Sequence, residues 1–174
     1  MAVETLSGEF AAIVGPGHGL LGNVKTMFGR YDWGLTVVED GDIRLLFKLP
    51  PKCLVVGGDM WAQELDSAGT GAIDIDIGWA ANGGGSATYS PTGTTFTFTN
   101  AAASANAAGF VNSGALDADV ITNLKADNIH WRPFPMITGP LYFSHETQVQ
   151  AEVNAAATTP ADGEMWVFLN YIQL

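Results

Sequence analysis

Residues 41–79 constrain the fold of this chain more than any other segment, because large apolar residues recur there at every second position. The pattern runs through residues 42–49 and again through residues 73–79, where isoleucine alternates with aspartate. A period of two is typical of a β-strand with one face buried and the other in water. Pro50 and Pro51 interrupt the pattern, since proline has no N–H to donate to a β-ladder. The segment therefore predicts three strands, at residues 42–49, 53–63 and 72–79.

Further strand patterns follow, and the last of them is apolar on both faces. The predicted strands outside the first segment lie at residues 35–39, around Phe96 and Phe98, and at residues 141–143, 145–153 and 164–172. Gly57 and Gly58 indicate a bulge or bend within their strand. Because residues 164–172 are apolar on both sides, we expect this strand to lie centrally in a sheet, with an arm or a neighbouring protein over its outer face. Within residues 101–128 two alternatives stay open: residues 100–108 could form a helical turn or an irregular excursion, and residues 116–124 could form a short helix.

The number of strands predicts the fold class. About eight strands of this length in one domain predict an all-β fold, an antiparallel β-sandwich of the jelly-roll type. Residues 1–34 are rich in glycine, yet they contain more large apolar side chains than a disordered tail would hold. We therefore expect an extended N-terminal arm at residues 1–34, ordered by lying on the sandwich or on a neighbouring protein, and a jelly-roll domain at residues 35–174.

The charge balance excludes several classes of partner. The chain has 18 acidic and 7 basic residues, and its formal net charge is −11. No cluster of Lys or Arg offsets that charge, so nucleic acid is not an expected partner. The N-terminal residues lack the basic region and unbroken apolar run of a signal peptide, and no segment has the length of a membrane span. We expect a soluble protein with no membrane partner and no visible export signal.

The reactive residues of the sequence predict no catalytic, cofactor-binding or metal site, and no cofactor. His18, His130 and His145 lack the spacing of a zinc motif. Cys53 is the single cysteine, and its apolar neighbours favour a small buried hydrophobe over a reactive thiol. Asp74 and Asp76 could offer a carboxylate pair to calcium or to acid–base catalysis, but we interpret them as the solvated face of an amphipathic strand.

The five tryptophans leave a second interpretation open, since an exposed indole on a β-sandwich can stack on a sugar ring. Trp33 and Trp131 lie in irregular segments and are the candidates for exposure. A concave groove lined by Trp33, Trp131 or Tyr89 would indicate a glycan-binding module, whereas a flat apolar seam would indicate a trimer. The other tryptophans follow strand patterns and are predicted to face the core or an interface: Trp61, Trp79 and Trp166.

Three of the predicted strands and the last strand together form a distinctive sequence pattern. One strand is opened by Gly41-Asp42, a second is introduced by Leu-Pro-Pro-Lys at residues 49–52, and a third reads IDIDIGW at residues 73–79. With the final short strand, this pattern resembles the small jelly-roll virion proteins of tailed bacteriophages. The resemblance covers residues 35–80 and the last strand. Such proteins decorate or cement the head or form short surface fibres, commonly as trimers.

The resemblance implies a structural virion protein of a tailed bacteriophage that decorates or cements the capsid surface through protein–protein contacts. It implies no enzymatic activity and no catalytic residues. The implied partners are further copies in a homotrimer and the phage major capsid protein or another virion protein. The implied location is the capsid surface of the virion, after synthesis in the host cytoplasm. The alternative is a glycan- or receptor-binding module of a phage fibre.

Overall fold

The computed structural model describes residues 6–10, 24–33, 39–68, 73–84, 87–89, 96–98, 104–111, 130–133 and 140–174. The secondary structure of these described residues consists of strands, without a helix. The strands are β1 (Leu6–Phe10), β2 (Val24–Asp32), β3 (Ile43–Leu49), β4 (Cys53–Ala62), β5 (Asp74–Trp79), β6 (Ala87–Tyr89), β7 (Phe96–Phe98), β8 (Asn106–Val111), β9 (His130–Pro133), β10 (Leu141–Phe143), β11 (Thr147–Ala155) and β12 (Glu164–Gln173).

The strands form two main antiparallel sheets. The larger sheet has the order β1-β2-β12-β4-β10, with β9 also paired to β4, and the smaller has the order β3-β11-β5-β8. β6 and β7 pair separately. Along the chain, successive strands of these two sheets lie in alternate sheets except at the steps from β1 to β2, from β5 to β8 and from β9 to β10. This connectivity is that of a jelly roll, so the predicted fold class is confirmed.

The inner faces of the two sheets form the main core. Every second residue of the central strands faces it and is at most 3% exposed: Met165, Val167, Leu169 and Tyr171 of β12, Ile75, Ile77 and Trp79 of β5, and Val149, Ala151 and Val153 of β11. Burial of each large aliphatic side chain stabilises the fold by about 1.5–3 kcal/mol. The period-two patterns of the sequence therefore identified the core faces of these strands.

Gly29 allows β2 to approach the smaller sheet closely. A Cβ atom at this position would lie 2.7 Å from Phe47 Cδ1 and 3.1 Å from Leu46 Cβ. Leu46 and Phe47 are adjacent in β3, yet both are buried. Their common burial coincides with a register shift in the β11–β3 pair, between Val149 and Gln150. Such an irregularity turns successive side chains toward the same face, which strict alternation does not allow.

The predicted irregularity near Gly57 and Gly58 is confirmed. Asn170 pairs with Gly57, whereas Tyr171 pairs with Val55, so one residue of β4 is unmatched at this point. Beyond the shift, Leu54 and Ile172 are paired on the outer face of the sheet. Glycine next to the shift relieves the crowding that a bulge imposes on the backbone.

The N-terminal residues that the structure describes are strands of the larger sheet. β2 pairs with β12 from Glu164↔Asp32 to Ile172↔Val24, and β1 pairs with the other edge of β2. The backbone N–H of Trp33 donates to Gly163 O at 3.0 Å. The division of the chain at residue 34 stays a prediction, but residues 24–33 belong to the packed fold.

The remaining strand predictions have mixed outcomes. β3, β4, β5, β7, β10, β11 and β12 lie where the sequence predicts them, with ends that differ by a few residues. β8 forms at Asn106–Val111, where a helix and an irregular excursion had been the open alternatives. β6 and β9 had not been predicted. The predicted strand at 35–39 and the possible helix at 116–124 lie outside the described residues, apart from Glu39, which is in a loop.

Asp66 joins two connections at one end of the sandwich. Its carboxylate is fully buried and accepts hydrogen bonds from the backbone N–H groups of Ala68 at 3.1 Å, Thr158 at 2.9 Å and Thr159 at 3.0 Å. A single β-bridge to Pro160 and a bond from Ser67 N to Thr159 O at 2.9 Å support the same contact. The carboxylate thus ties the β4–β5 connection to the β11–β12 connection.

Candidate functional site

The outer face of the larger sheet carries aromatic side chains around its central strand, β12. Met165 and Val167 point into the core, so Trp166 and Phe168 point away from it. Trp166 pairs with Arg30 of β2 and with Trp61 of β4. Phe168 pairs in the same way with Phe28 and Asp59. We call the half-buried set Phe28, Arg30, Trp61, Glu164, Trp166 and Phe168 the outer-face patch.

The aromatic rings of the outer-face patch contact one another. The ring centroids of Phe28 and Trp166 are 5.8 Å apart, and those of Phe28 and Phe168 are 5.9 Å apart, with planes within 29° of parallel. The rings of Trp61 and Trp166 meet edge to face at 5.5 Å. Aromatic pairs at such distances contribute about 0.5–1.5 kcal/mol beyond the area they bury. The contacts hold these side chains in a defined arrangement on the sheet.

Arg30 and Glu164 add a charged pair to this arrangement. The guanidinium of Arg30 donates a hydrogen bond to Glu164 Oε1, and its Cζ lies 5.5 Å from the centroid of the Trp166 ring. The indole Nε1 of Trp166 donates to Glu164 Oε2 at 3.3 Å. Arg30 is therefore held by an ion pair and by a cation–π contact together. The patch is an ordered surface with both aromatic and charged groups.

A second apolar cluster lies on the same outer face, toward the other end of β12. Leu54, Tyr142 and Ile172 are each at most 9% exposed, and Val56 packs against them. Leu54 pairs with Tyr142 on one side and with Ile172 on the other. The predicted apolar outer face of the last strand is therefore present, and its two ends differ in burial: the end at Ile172 is almost fully buried, and the end at Trp166 is aromatic and half-buried.

The Asp74 and Asp76 side chains differ in burial, and Asp76 is more buried than a solvated strand face would allow. Asp76 is 6% exposed, and Asp74 is half-buried. The interpretation of both as solvated is therefore wrong for Asp76. Burial, and secondly the charge of Asp76, raise the pKa of Asp74 above its ordinary value. Across the described residues, no three His, Cys, Asp or Glu side chains converge as metal ligands would.

The tryptophans correct part of the expectation of a glycan groove. Trp33, a candidate for exposure, is buried: it is 4% exposed, and its ring meets that of Tyr31 edge to face at 5.0 Å. Trp79 lies in the core, as predicted. Trp131 lies in β9 and Tyr89 in β6, but their side chains are outside the described set. A groove that includes Trp33 is therefore not available to a ligand.

The single cysteine and the histidines occupy different environments. Cys53 is fully buried at the start of β4, and burial raises the pKa of its thiol to about 12, which agrees with its interpretation as a buried hydrophobe. His145 is exposed in the β10–β11 connection, with Nδ1 3.0 Å from Ser144 Oγ. His18 lies outside the described residues, and only the backbone of His130 is described, in β9.

The sequence pointed to Trp166 and Phe168 but not to their neighbours in the patch. Phe28 and Arg30 lie in the segment that the sequence predicts to be an arm, and the register of β2 against β12 brings them beside Trp166. Alternation of Thr26, Phe28 and Arg30 with inward residues was the available signal, but Gly29 at an inward position obscures it.

No helix among the described residues is long and apolar enough to cross a membrane.

Comparison with known proteins places this fold among chains from phage capsids. No family model and no curated protein matches the chain. A chain in the cyanophage Pam1 capsid asymmetric unit is 22% identical, with a TM-score of 0.61 over 94% of this chain and 94% of that chain. A chain in the capsid of Ralstonia phage GP4 is 16% identical, with a TM-score of 0.57 over 93% of this chain and 92% of that chain. These likenesses show a shared fold.

Proposed function

We propose that this chain is a structural virion protein of a tailed bacteriophage that decorates or cements the capsid surface through protein–protein contacts. The observation that carries the proposal is the outer-face patch on a jelly roll. Half-buried aromatic rings on an ordered sheet face are typical of a surface that contacts another protein. The fold shared with chains from two phage capsids, over nearly the full length of each, supports the same role.

In this role the protein works by burying surface and not by turnover. Its partners are the phage major capsid protein or another virion protein, and its place is the capsid surface of the virion after synthesis in the host cytoplasm. Homotrimer formation belongs to the proposal, since the low content of charged residues, 14%, favours burial of surface between copies.

Binding to particles tests the proposal. Phage particles stripped of this protein are incubated with the purified full-length chain and separated by sedimentation. We expect saturable binding with a fixed number of copies per particle, because a cementing protein occupies equivalent sites on a symmetric shell. Binding to intact particles that already carry the protein is the control and should be absent. Failure to bind stripped particles would contradict the proposal.

A glycan-binding module of a fibre remains the second candidate, and one observation favours it. Trp166, Trp61 and Trp131 occupy consecutive register positions across β12, β4 and β9. An exposed indole on a sheet can stack on a sugar ring. The Arg30 guanidinium over the Trp166 ring competes with such stacking. Titration with glucose and galactose oligosaccharides, followed by tryptophan fluorescence, tests this function. A saturable change that Trp61→Ala abolishes would favour the glycan module.

A further inference from the structure

One end of the larger sheet carries an excess of carboxylates beside the outer-face patch. Asp32 ends β2, stands opposite Glu164 in the register and is exposed. Gln63 N donates to Glu164 O at 2.9 Å, which brings the following residue, Glu64, to the same end. Asp162 is exposed two residues before Glu164. We call Asp32, Glu64, Asp162 and Glu164 the acidic end.

The described cations near the acidic end are already engaged. Arg30 is bound to Glu164, and Arg44, whose Cζ lies 5.7 Å from the Tyr31 ring centroid, pairs with Asp42 at 2.9 Å. The side chains described there thus leave a local excess of negative charge. Carboxylates at the rim of an aromatic patch attract a positively charged partner and repel a negative one.

We infer that the outer-face patch and the acidic end together bind a protein surface that presents Lys or Arg side chains beside an exposed apolar side chain. This inference rests on the proposed function and names the chemistry of the partner. A second copy of the chain fits this surface poorly, because each copy has a formal net charge of −11 and would bring a second acidic end. Contacts within a trimer then use another part of the surface.

The roles of the two parts differ. The aromatic rings supply apolar area that leaves water when the partner binds, and Trp and Arg are the side chains most often found at the energetic centre of protein interfaces. The acidic end lies at the rim, where charges raise the association rate and make it dependent on salt. Loss of the Trp166 ring should therefore weaken binding at every salt concentration, whereas charge reversal at the rim should act mainly at low salt.

The test uses the full-length chain, stripped phage particles and three variants at 50 and 500 mM NaCl. At low salt, Asp162→Lys should bind about tenfold more weakly than the unaltered chain and should lose most of its salt dependence. Trp166→Ala should bind at least about tenfold more weakly at both salt concentrations. Glu146→Lys is the matched control, because its carboxylate is 59% exposed and pairs with Lys48 at the smaller sheet. It should bind within about twofold of the unaltered chain.

The outcomes separate the two proposals. If the unaltered chain does not bind stripped particles, the proposed function fails. If it binds and Asp162→Lys binds equally well at both salt concentrations, the inference is wrong while the proposed function stands. If Trp166→Ala does not fold, as judged by circular dichroism, Asp162→Lys and the salt dependence of the unaltered chain decide the question. Equal weakening by Glu146→Lys would also overturn the inference, since the effect would then not belong to this surface.

Discussion

Asp66 is fully buried, and its carboxylate accepts three backbone N–H groups from two connections. Asp66→Ala would leave those N–H groups without their acceptor, so we expect the free energy of unfolding to fall by about 3 kcal/mol. Urea denaturation measures this change. Asp162→Ala is the control, because Asp162 is exposed and should change the value by no more than about 0.5 kcal/mol. Similar values for the two variants would contradict the role given to Asp66.

Asp74 has a raised pKa in the folded protein, because of its burial and the charge of Asp76. The folded state therefore binds a proton more readily than the unfolded state, and stability falls as pH rises from the ordinary value of 3.8 through the raised value. Asp74→Asn carries no such charge, so it should raise the thermal midpoint at pH 7. The gain should shrink as the pH approaches 3.5. A lower midpoint at pH 7 would show that the charge of Asp74 stabilises the fold.

Burial of single residues could be predicted where the local pattern was regular. Cys53, flanked by apolar residues on a strand, lies in the core as predicted. Trp33 is a candidate for exposure from the sequence, because it lies in a segment that the sequence predicts to be irregular. Its burial depends on β2 joining β12 and on the bond from Trp33 N to Gly163 O, a contact between distant parts of the chain. No local pattern contains that information.

At the level of strands, β5 tests the assignment of the core face. Ile75 is 0% exposed, and Ile75→Asp would place a carboxylate in the core without a partner, so we expect this variant not to fold. Ile43→Asp makes the same chemical change at a residue that is 45% exposed. It should keep the fold and change the free energy of unfolding by less than about 1 kcal/mol. Circular dichroism and urea denaturation of both variants provide the comparison. A folded Ile75→Asp variant would mean that the register of β5 is wrong.

Strands were predicted well where apolar and polar residues alternate and poorly where packing requires glycine. β5, β11 and β12 keep the alternation and were found from the sequence. β2 places Gly29 at an inward position, where the Phe47 ring leaves no room for a Cβ atom, and β8 places Gly109 against the Trp79 ring in the same way. In a sequence, a glycine favours the prediction of a turn or an irregular segment over a strand. The glycines that close packing between the sheets requires therefore interrupt the alternation by which these strands could be predicted.

At the scale of the whole molecule, the homotrimer makes a direct prediction. We expect a mass of three 18.3 kDa chains by light scattering at micromolar concentration. The mass should stay the same in Trp166→Ala, because the inferred contact between copies lies outside the outer-face patch. A single-chain mass for the unaltered protein would contradict the trimer. A trimer that Trp166→Ala dissociates would place the contact between copies on the patch instead.

Only part of the outer-face patch could be predicted, since it is assembled from three strands far apart in sequence. The apolar outer side of β12 was visible in the sequence, and it predicted a surface covered by another element or partner. The pairing of Arg30, Trp166 and Trp61 across β2, β12 and β4 required the strand order of the jelly roll. The acidic end likewise depends on which strand ends meet at one edge of the larger sheet.

Cryo-electron microscopy of the phage particle that carries this chain tests the central claim most directly. We expect one jelly roll of this topology at equivalent positions on the outside of the capsid shell. We further expect that the outer-face patch, centred on Trp166, contacts a Lys- or Arg-bearing surface of another virion protein. Particles whose shell lacks this chain, or a chain that is found only at the tip of a fibre with the patch open to solvent, would contradict the account.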